Sequence, residues 1–490
     1  MSAMQSSIRR LAIVLAACFV VIALGLTYWQ VIRAQELVYS DYNPRLAKED
    51  AQILRGSILD RDGRKLVYSE STPNGIERHY TDPTTAQVTG YYSARYGTAG
   101  LENTFDRYLR GDVQTNAFDA AASDLLHRPR VGANLTTTLD SKLQAAAVQA
   151  MGSNKGAAVA IDPHTGAIRA MVSIPYYDPN KLDQDWKTLA SDPNTPLLNR
   201  ATQGLYVPGS VFKIVTATAA IDLGLVDLNK HYNCANDLVV DGFRIVNKNH
   251  PPGVTYVTYV DDFAYSNNVT FAKTALSLGG KSIAVGDDIP NPPPWDVSID
   301  QSRQRFEEYT RRFGFDRPLP FDIPTSTSTI GNQNLSRVEL ANLGFGQGRI
   351  EVTPLLMALG AATIANGGEM PAPYLVQEIR DPSGTLLMQH TPQTIRQVMS
   401  PETAKSMNRL MTTSVQEGYA KPAQISGVEV GGKTGSAEVG GGKTEHSWFI
   451  GYAPANNPVI AVAVIMENKG PGDEFATPAG RQIMEAALGR

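Results

Sequence analysis

Leu11 to Trp29 is a run of 19 residues without a charge, built largely from Leu, Ala, Ile, Val and Phe. As a helix it extends about 28 Å, against a hydrocarbon core about 30 Å thick. A segment of that length and composition predicts a single bilayer crossing. Arg9 and Arg10 precede it and Tyr28 and Trp29 close it. The positive-inside rule and the aromatic belt then give a cytoplasmic N-terminus at 1–10, a transmembrane anchor at 11–29, and everything after about Arg33 on the outer side. A cleaved signal peptide is the competing reading, because Leu15-Ala16-Ala17-Cys18 mimics a lipoprotein processing site. Only Leu11 to Leu15 would precede that cysteine as an apolar segment, and the apolar run continues well beyond it, so the uncleaved anchor is favoured.

The remainder is expected to be globular. The 490 residues of the whole chain suggest about three units at about 150 residues each, and 42% hydrophobic residues exclude disorder throughout. Forty-four Lys and Arg against 48 Asp and Glu give a net charge of −4, without the basic excess of a nucleic-acid binder. Only Cys18 and Cys234 are present, and Cys18 falls in the anchor, so neither a disulfide scaffold nor a cysteine-ligated metal is available. Cys234 is expected to be buried rather than reactive. The seven His show no H-x-x-x-H or H-E-x-x-H spacing, so no metal or other cofactor is called for.

Residues 34–150 are charge-rich with strand-sized pieces. Arg55-Gly56-Ser57-Ile58-Leu59-Asp60-Arg61-Asp62-Gly63 reads as a short strand running into an Asp-Gly turn, in what looks like an extended N-terminal spacer. A compact domain is expected over 151–490. It opens with a hairpin, Gly156 to Asp162 and Ala167 to Ser173 around Pro163-His164-Thr165-Gly166. Val459 to Met466 is an unbroken apolar run, the pattern of a strand buried on both faces, and Pro478 to Leu488 reads as a closing helix. Ser210 to Leu223 is singled out as the most apolar helix and the candidate for the centre of the core. Asn291-Pro292-Pro293-Pro294 reads as a surface insertion. The fold class is α/β of the α+β kind: a mainly antiparallel sheet covered by helices.

Three short segments could carry chemistry. In Val207-Pro208-Gly209-Ser210-Val211-Phe212-Lys213, a Ser and a Lys three residues apart share one helix face. Alone this is most often an N-cap and a solvated Lys. The flanking Val211, Phe212, Ile214 and Val215, however, form an apolar setting that lowers a lysine pKa, and a neutral Lys can take the proton from a Ser hydroxyl. Ser266-Asn267-Asn268 offers a hydroxyl to relay a proton and a carboxamide to meet a peptide, although a lone tripeptide of this kind is usually a plain turn. Gly431-Gly432-Lys433-Thr434-Gly435-Ser436-Ala437-Glu438 sets a cation and a hydroxyl among glycines, suited to a carboxylate that approaches the backbone closely.

S-x-x-K, S-x-N and K-T-G, in this order, are known together from β-lactamases and penicillin-binding proteins. The sequence resembles the class B penicillin-binding proteins, membrane-anchored D,D-transpeptidases that cross-link peptidoglycan, and within them the short A type. Arg55 to Arg61, Gly100-Leu101-Glu102 and Thr138-Leu139-Asp140 are similar to that family's N-terminal pedestal or dimerisation-type module. Gly346-Gln347-Gly348, Thr353-Pro354-Leu355 and Trp448-Phe449-Ile450-Gly451-Tyr452-Ala453-Pro454 are similar to landmarks of its transpeptidase domain.

The resemblance implies Ser210 as the nucleophile that is acylated by a D-Ala-D-Ala stem peptide or a β-lactam, Lys213 as general base and Ser266 as proton shuttle. It further implies Asn268, Lys433, Thr434 and Gly435 as substrate-binding residues, and the backbone N–H groups of Ser210 and Ser436 as the oxyanion hole. The implied partners are peptidoglycan stem peptides, β-lactam antibiotics, the bacterial cell membrane through one helix, and a glycan polymerase with division or elongation proteins. No nucleic acid is implied. The same fold could instead serve a D,D-carboxypeptidase, a β-lactamase-like hydrolase or a non-catalytic scaffold. Asn268 favours peptide handling, and the intact Ser210, Lys213 and Lys433 argue against a scaffold.

Overall fold

The computed structural model describes residues 2–29, 53–73, 75–113, 130–233, 237–247, 256–283, 293–331 and 334–490. Cys234, and Asn291 and Pro292 of the proline-rich stretch, lie outside the described residues. Ser2–Thr27 is a helix, and its Ser7–Thr27 portion is long and apolar enough to cross a membrane, with none of it buried against the rest of the protein.

The N-terminal part is built on a six-stranded sheet in the order Leu386–Gln389, Val376–Arg380, Asn134–Thr137, Ile58–Leu59, Lys65–Thr72, Gly75–Tyr80. Ile58–Leu59 is parallel to Asn134–Thr137; the other neighbours are antiparallel. The Asp-Gly turn follows Ile58–Leu59, tied by Asp60 Oδ1, which accepts from the backbone N–H of Asp62 at 3.0 Å and Arg64 at 2.8 Å. Two of the six strands come from far along the chain, so this sheet stitches the early residues to the later ones. Beside it Glu102 is fully buried, its carboxylate accepting from Arg55 Nη2 at 2.8 Å and Arg78 Nε at 2.7 Å. Burial pushes that carboxyl up, and the two guanidinium groups outweigh it, holding it below the usual range.

The larger part is centred on a five-stranded antiparallel sheet, Gly431–Ala437, His446–Ala453, Ile460–Met466, Gly156–Ile161, Ile168–Ile174. Successive side chains of a strand point to opposite faces. Here Ala461, Ala463 and Ile465 enter one core cluster while Val462, Val464 and Met466 enter another. Both faces are therefore covered, which is why this strand reads as a continuous apolar run. The helices Ser141–Met151 and Ala476–Ala487 lie on one face, and Pro354–Ala365 on the other.

The helix expected at the centre of the core needs a correction. Lys213–Asp222 is buried from Lys213 to Ala220, but Pro354–Ala365 is the more apolar helix and is buried at every position from Pro354 to Ile364. It is apolar all round, so it presents no helical stripe, and uniform burial is the arrangement such a helix requires. The proline-rich stretch ends in a helix start: Pro294 opens Pro294–Arg312, at the position where the missing N–H costs nothing.

Candidate active site

Ser210 is the second residue of a 3₁₀ turn, Gly209–Phe212, that runs directly into the helix Lys213–Asp222. The sequence suggests a plain helix face; in a 3₁₀ turn, residues three apart eclipse more closely. Lys213 Nζ lies 3.0 Å from Ser210 Oγ, 3.0 Å from Ser266 Oγ, 2.8 Å from Asn268 Oδ1 and 2.7 Å from the Ser266 carbonyl oxygen. The two carbonyl oxygens can only accept. A neutral amine therefore spends both N–H groups on them and keeps its lone pair toward the hydroxyls. Lys213 is fully buried, and this desolvation, reinforced by Lys433 and opposed by Asp262, holds its pKa well below that of an ordinary lysine.

Ser266 and Asn268 are placed by a break between two helices, Tyr259–Ala264 and Asn268–Ser277. Ser266 has φ 59°, in the left-handed region, and Asn267 caps the second helix by accepting from the Thr270 N–H at 3.0 Å. The flanking Ser266 and Asn268 both reach Lys213, while the middle residue is turned to the cap.

Lys433 sits in Gly431–Ala437, an edge strand of the five-stranded sheet. Its Nζ stands 3.0 Å from Ser266 Oγ and 3.1 Å from the Thr434 carbonyl oxygen. It too is fully buried, which pushes it down to about 7 although Asp473 pulls the other way. A Cβ on Gly435 would come within 3.0 Å of Val211 Cγ1 and 3.1 Å of the Pro208 carbonyl oxygen. Glycine there lets the strand lie close against the Gly209–Phe212 turn, and a larger residue would have to push that turn back by a few tenths of an ångström. Trp448, one strand in, donates from Nε1 to the Val207 carbonyl oxygen at 3.0 Å and fixes the entry to that turn. Ser436 Oγ accepts from the Gly472 N–H at 3.1 Å.

Ser210, Ser266, Asn268, Thr434, Gly435 and Ser436 line a single cleft of about 460 Å³. Lys213 and Lys433 lie beneath its floor, reaching it through Ser210 and Ser266. All of the residues singled out from sequence therefore converge. Asp262, Trp448 and the edge-to-face pair Tyr265–Tyr419, with ring centroids 6.0 Å apart, were not singled out. None of them belongs to a periodic pattern or short motif, and Trp448 stood only as part of a family landmark.

Residues 156–485 match the family described as penicillin binding protein transpeptidase domain, and residues 55–135 match the penicillin binding protein A dimerisation domain. The chain belongs to the penicillin-binding protein transpeptidase family. Among members of this family it is 33% identical to the peptidoglycan D,D-transpeptidase PbpA of Mycolicibacterium smegmatis, with 99% of each chain covered. It is 32% identical to PbpA of Mycobacterium tuberculosis, again over 99% of each. Penicillin-binding protein A from M. tuberculosis in a ceftriaxone acyl-enzyme complex superposes with a TM-score of 0.80 at 31% identity, covering 90% of this chain and 100% of that one. Its penicillin G acyl-enzyme complex gives 0.78 at 32% identity, covering 89% and 100%.

Proposed function

We propose a residue-by-residue course for the peptidoglycan D,D-transpeptidase reaction in this chain. The enzyme is a serine-type acyltransferase of peptidoglycan synthesis that β-lactams acylate. Ser210 Oγ attacks the carbonyl carbon of the D-Ala-D-Ala bond as its proton passes to Lys213 Nζ. The tetrahedral oxyanion is met by the backbone N–H groups of Ser210 and Ser436. On collapse the C–N bond breaks, and the departing D-Ala amine takes a proton relayed by Ser266. An acceptor amine then attacks the ester carbonyl, gives up a proton along the same path and frees Ser210. Asn268 orients the donor peptide, and Lys433 with Thr434 and Gly435 holds its terminal carboxylate.

The observation that carries this reading is the buried Lys213 Nζ at 3.0 Å from Ser210 Oγ, with its two N–H directions taken by the carbonyl oxygens of Ser266 and Asn268. Full-length protein in detergent, incubated with benzylpenicillin, is expected to gain one adduct on the peptide containing Ser210. An adduct that survives Ser210→Ala overturns the assignment.

The apolar N-terminal helix supports anchoring in the bacterial cell membrane with residues 1–10 cytoplasmic and the catalytic part outside. With the catalytic part on the outer face, the reading includes a glycan polymerase and division or elongation proteins as partners there. A reporter fused after Arg490 is expected to be active only in its exported form, and lipid on Cys18 with loss of residues 1–17 would overturn the topology.

A further inference from the structure

Asp262 lies in the helix that precedes the Ser266 turn, it is 1% exposed, and the reaction course above does not use it. Three hydrogen bonds join it to one short segment. Its backbone carbonyl oxygen accepts the Asn267 N–H at 2.8 Å, its Oδ1 accepts from Asn267 Nδ2 at 2.8 Å, and its Oδ2 accepts from Thr270 Oγ1 at 2.5 Å. Asn267 is thereby gripped at backbone and side chain, while its remaining oxygen caps the following helix. Ser266, in the left-handed region at φ 59°, is an L residue in a conformation that has to be imposed by its surroundings.

We propose that Asp262 is a positioning residue for acylation, clasping the turn through Asn267 and Thr270 so that Ser266 and Asn268 both stay against Lys213. The middle residue of Ser266-Asn267-Asn268 is then the handle by which the turn is held. The inference rests on the reading of Ser210 and Lys213 given above.

The carboxylate also bears on the base through space. Among the described residues, the charged groups that act on Lys213 are Lys433 from the edge strand, which disfavours its protonated form, and Asp262, which favours it. Asp473 in turn acts on Lys433, and the Tyr259 hydroxyl also feels Asp262. Replacing the carboxylate by a carboxamide preserves the geometry, since an amide oxygen can still accept from Asn267 and an amide N–H can donate to the Thr270 hydroxyl. It removes the charge alone. A purely structural role would leave the base's protonation unmoved.

The experiment measures benzylpenicillin acylation of full-length protein in detergent across pH for the wild type, Asp262→Asn, Asp262→Ala and Thr270→Val. In Asp262→Asn the acidic limb is expected to move to lower pH by about half a unit or more, with the plateau rate within about threefold of wild type. In Asp262→Ala the plateau is expected to fall by about tenfold or more, and the Asn variant to restore it. Thr270→Val, which keeps the charge and loses one arm of the clasp, is expected to lower the plateau by about threefold without moving the limb, and it answers the question if the Ala variant does not fold. A limb that stays in place in Asp262→Asn, or a wild-type plateau in both Asp262→Ala and Thr270→Val, overturns the proposal. A wild type that is not acylated at Ser210 overturns the underlying reading instead, so the two failures are distinct.

Discussion

Lys213 and Lys433 meet across one hydroxyl: each Nζ stands 3.0 Å from Ser266 Oγ. Both side chains are fully buried. Two ammonium groups so close in a desolvated site disfavour each other, and burial together with Lys433 holds Lys213 well below the usual lysine range. The proposed roles, base for Lys213 and carboxylate anchor for Lys433, need this one residue type in two different protonation states.

Arginine substitutions are expected to separate the two lysines. Lys213→Arg leaves a group that does not deprotonate in the working range, so penicillin acylation should be abolished. Lys433→Arg keeps a cation for a carboxylate and should acylate more slowly by about 10- to 100-fold, the loss of about 1–3 kcal/mol of geometry-dependent hydrogen bonding. Stopped-flow rates for both variants check this. Wild-type speed in Lys213→Arg with a dead Lys433→Arg would reverse the roles.

Gly346 packs against the Gly209–Phe212 turn that carries Ser210. It has φ 82°, and its carbonyl oxygen accepts the Gly209 N–H at 2.9 Å. A Cβ there would stand 1.9 Å from the Gly209 carbonyl oxygen. Gly346→Ala is expected to push the turn away from Lys213, lowering acylation by about 100-fold, and to cost a few kcal/mol of stability through the clash and the left-handed backbone. Melting and acylation measured on the same sample check both effects.

How much of this was legible in the sequence depends on how far apart the partners lie. Ser210 with Lys213, and Ser266 with Asn268, are short-range pairs whose spacing carries the signal, and Ile460–Met466 announces two-sided burial by its composition. Pro354–Ala365 escaped notice because a helix that is apolar all round has no stripe to detect. The pairing of Val376–Arg380 with Asn134–Thr137 joins residues some 240 positions apart, which no local pattern encodes. Asp262 was illegible for a related reason: its partners are the side chains of a turn, and only the folded turn shows that Asn267 points to it and not to the cleft.

The buried cluster around Glu102 makes the N-terminal part sensitive to loss of a single charge. Glu102→Gln takes the counter-ion from Arg78 and leaves Arg55 with Asp106 alone, at 2.7 Å, and is expected to cost about 3–5 kcal/mol. The sign of the pH effect follows from a folded pKa held below the unfolded value of 4.5. The wild-type contribution is present above that value and is lost as pH falls through the lowered pKa. Thermal melts from pH 7 to pH 3 should therefore show the difference between wild type and variant shrinking toward acid. A constant difference would mean that the carboxylate's charge is not what stabilises the cluster.

Lys433 yields a test of the carboxylate anchor that needs no turnover. In the unliganded enzyme burial pushes it down to about 7, so near neutral pH a large share of molecules carry it uncharged. A carboxylate arriving beside it favours the ammonium and raises its pKa, so binding has to draw a proton from solvent wherever the free group is neutral. Ser210→Ala, which cannot be acylated, is the form to use, with a peptide ending in D-Ala-D-Ala as ligand. Calorimetric titrations at pH 8 in two buffers of different ionisation enthalpy should show uptake of most of one proton, falling to a small fraction at pH 6, where Lys433 is already charged. The same lowered pKa predicts that folding stability rises with pH between about 7 and 10.5, because over that range the unfolded chain binds the proton that folded Lys433 lacks. Lys433→Met should lessen that rise, leaving the part that the likewise lowered Lys213 contributes. Equal heats in both buffers at pH 8 would show that the group meeting the carboxylate is charged before the ligand arrives, which overturns an anchor that is neutral in the free enzyme.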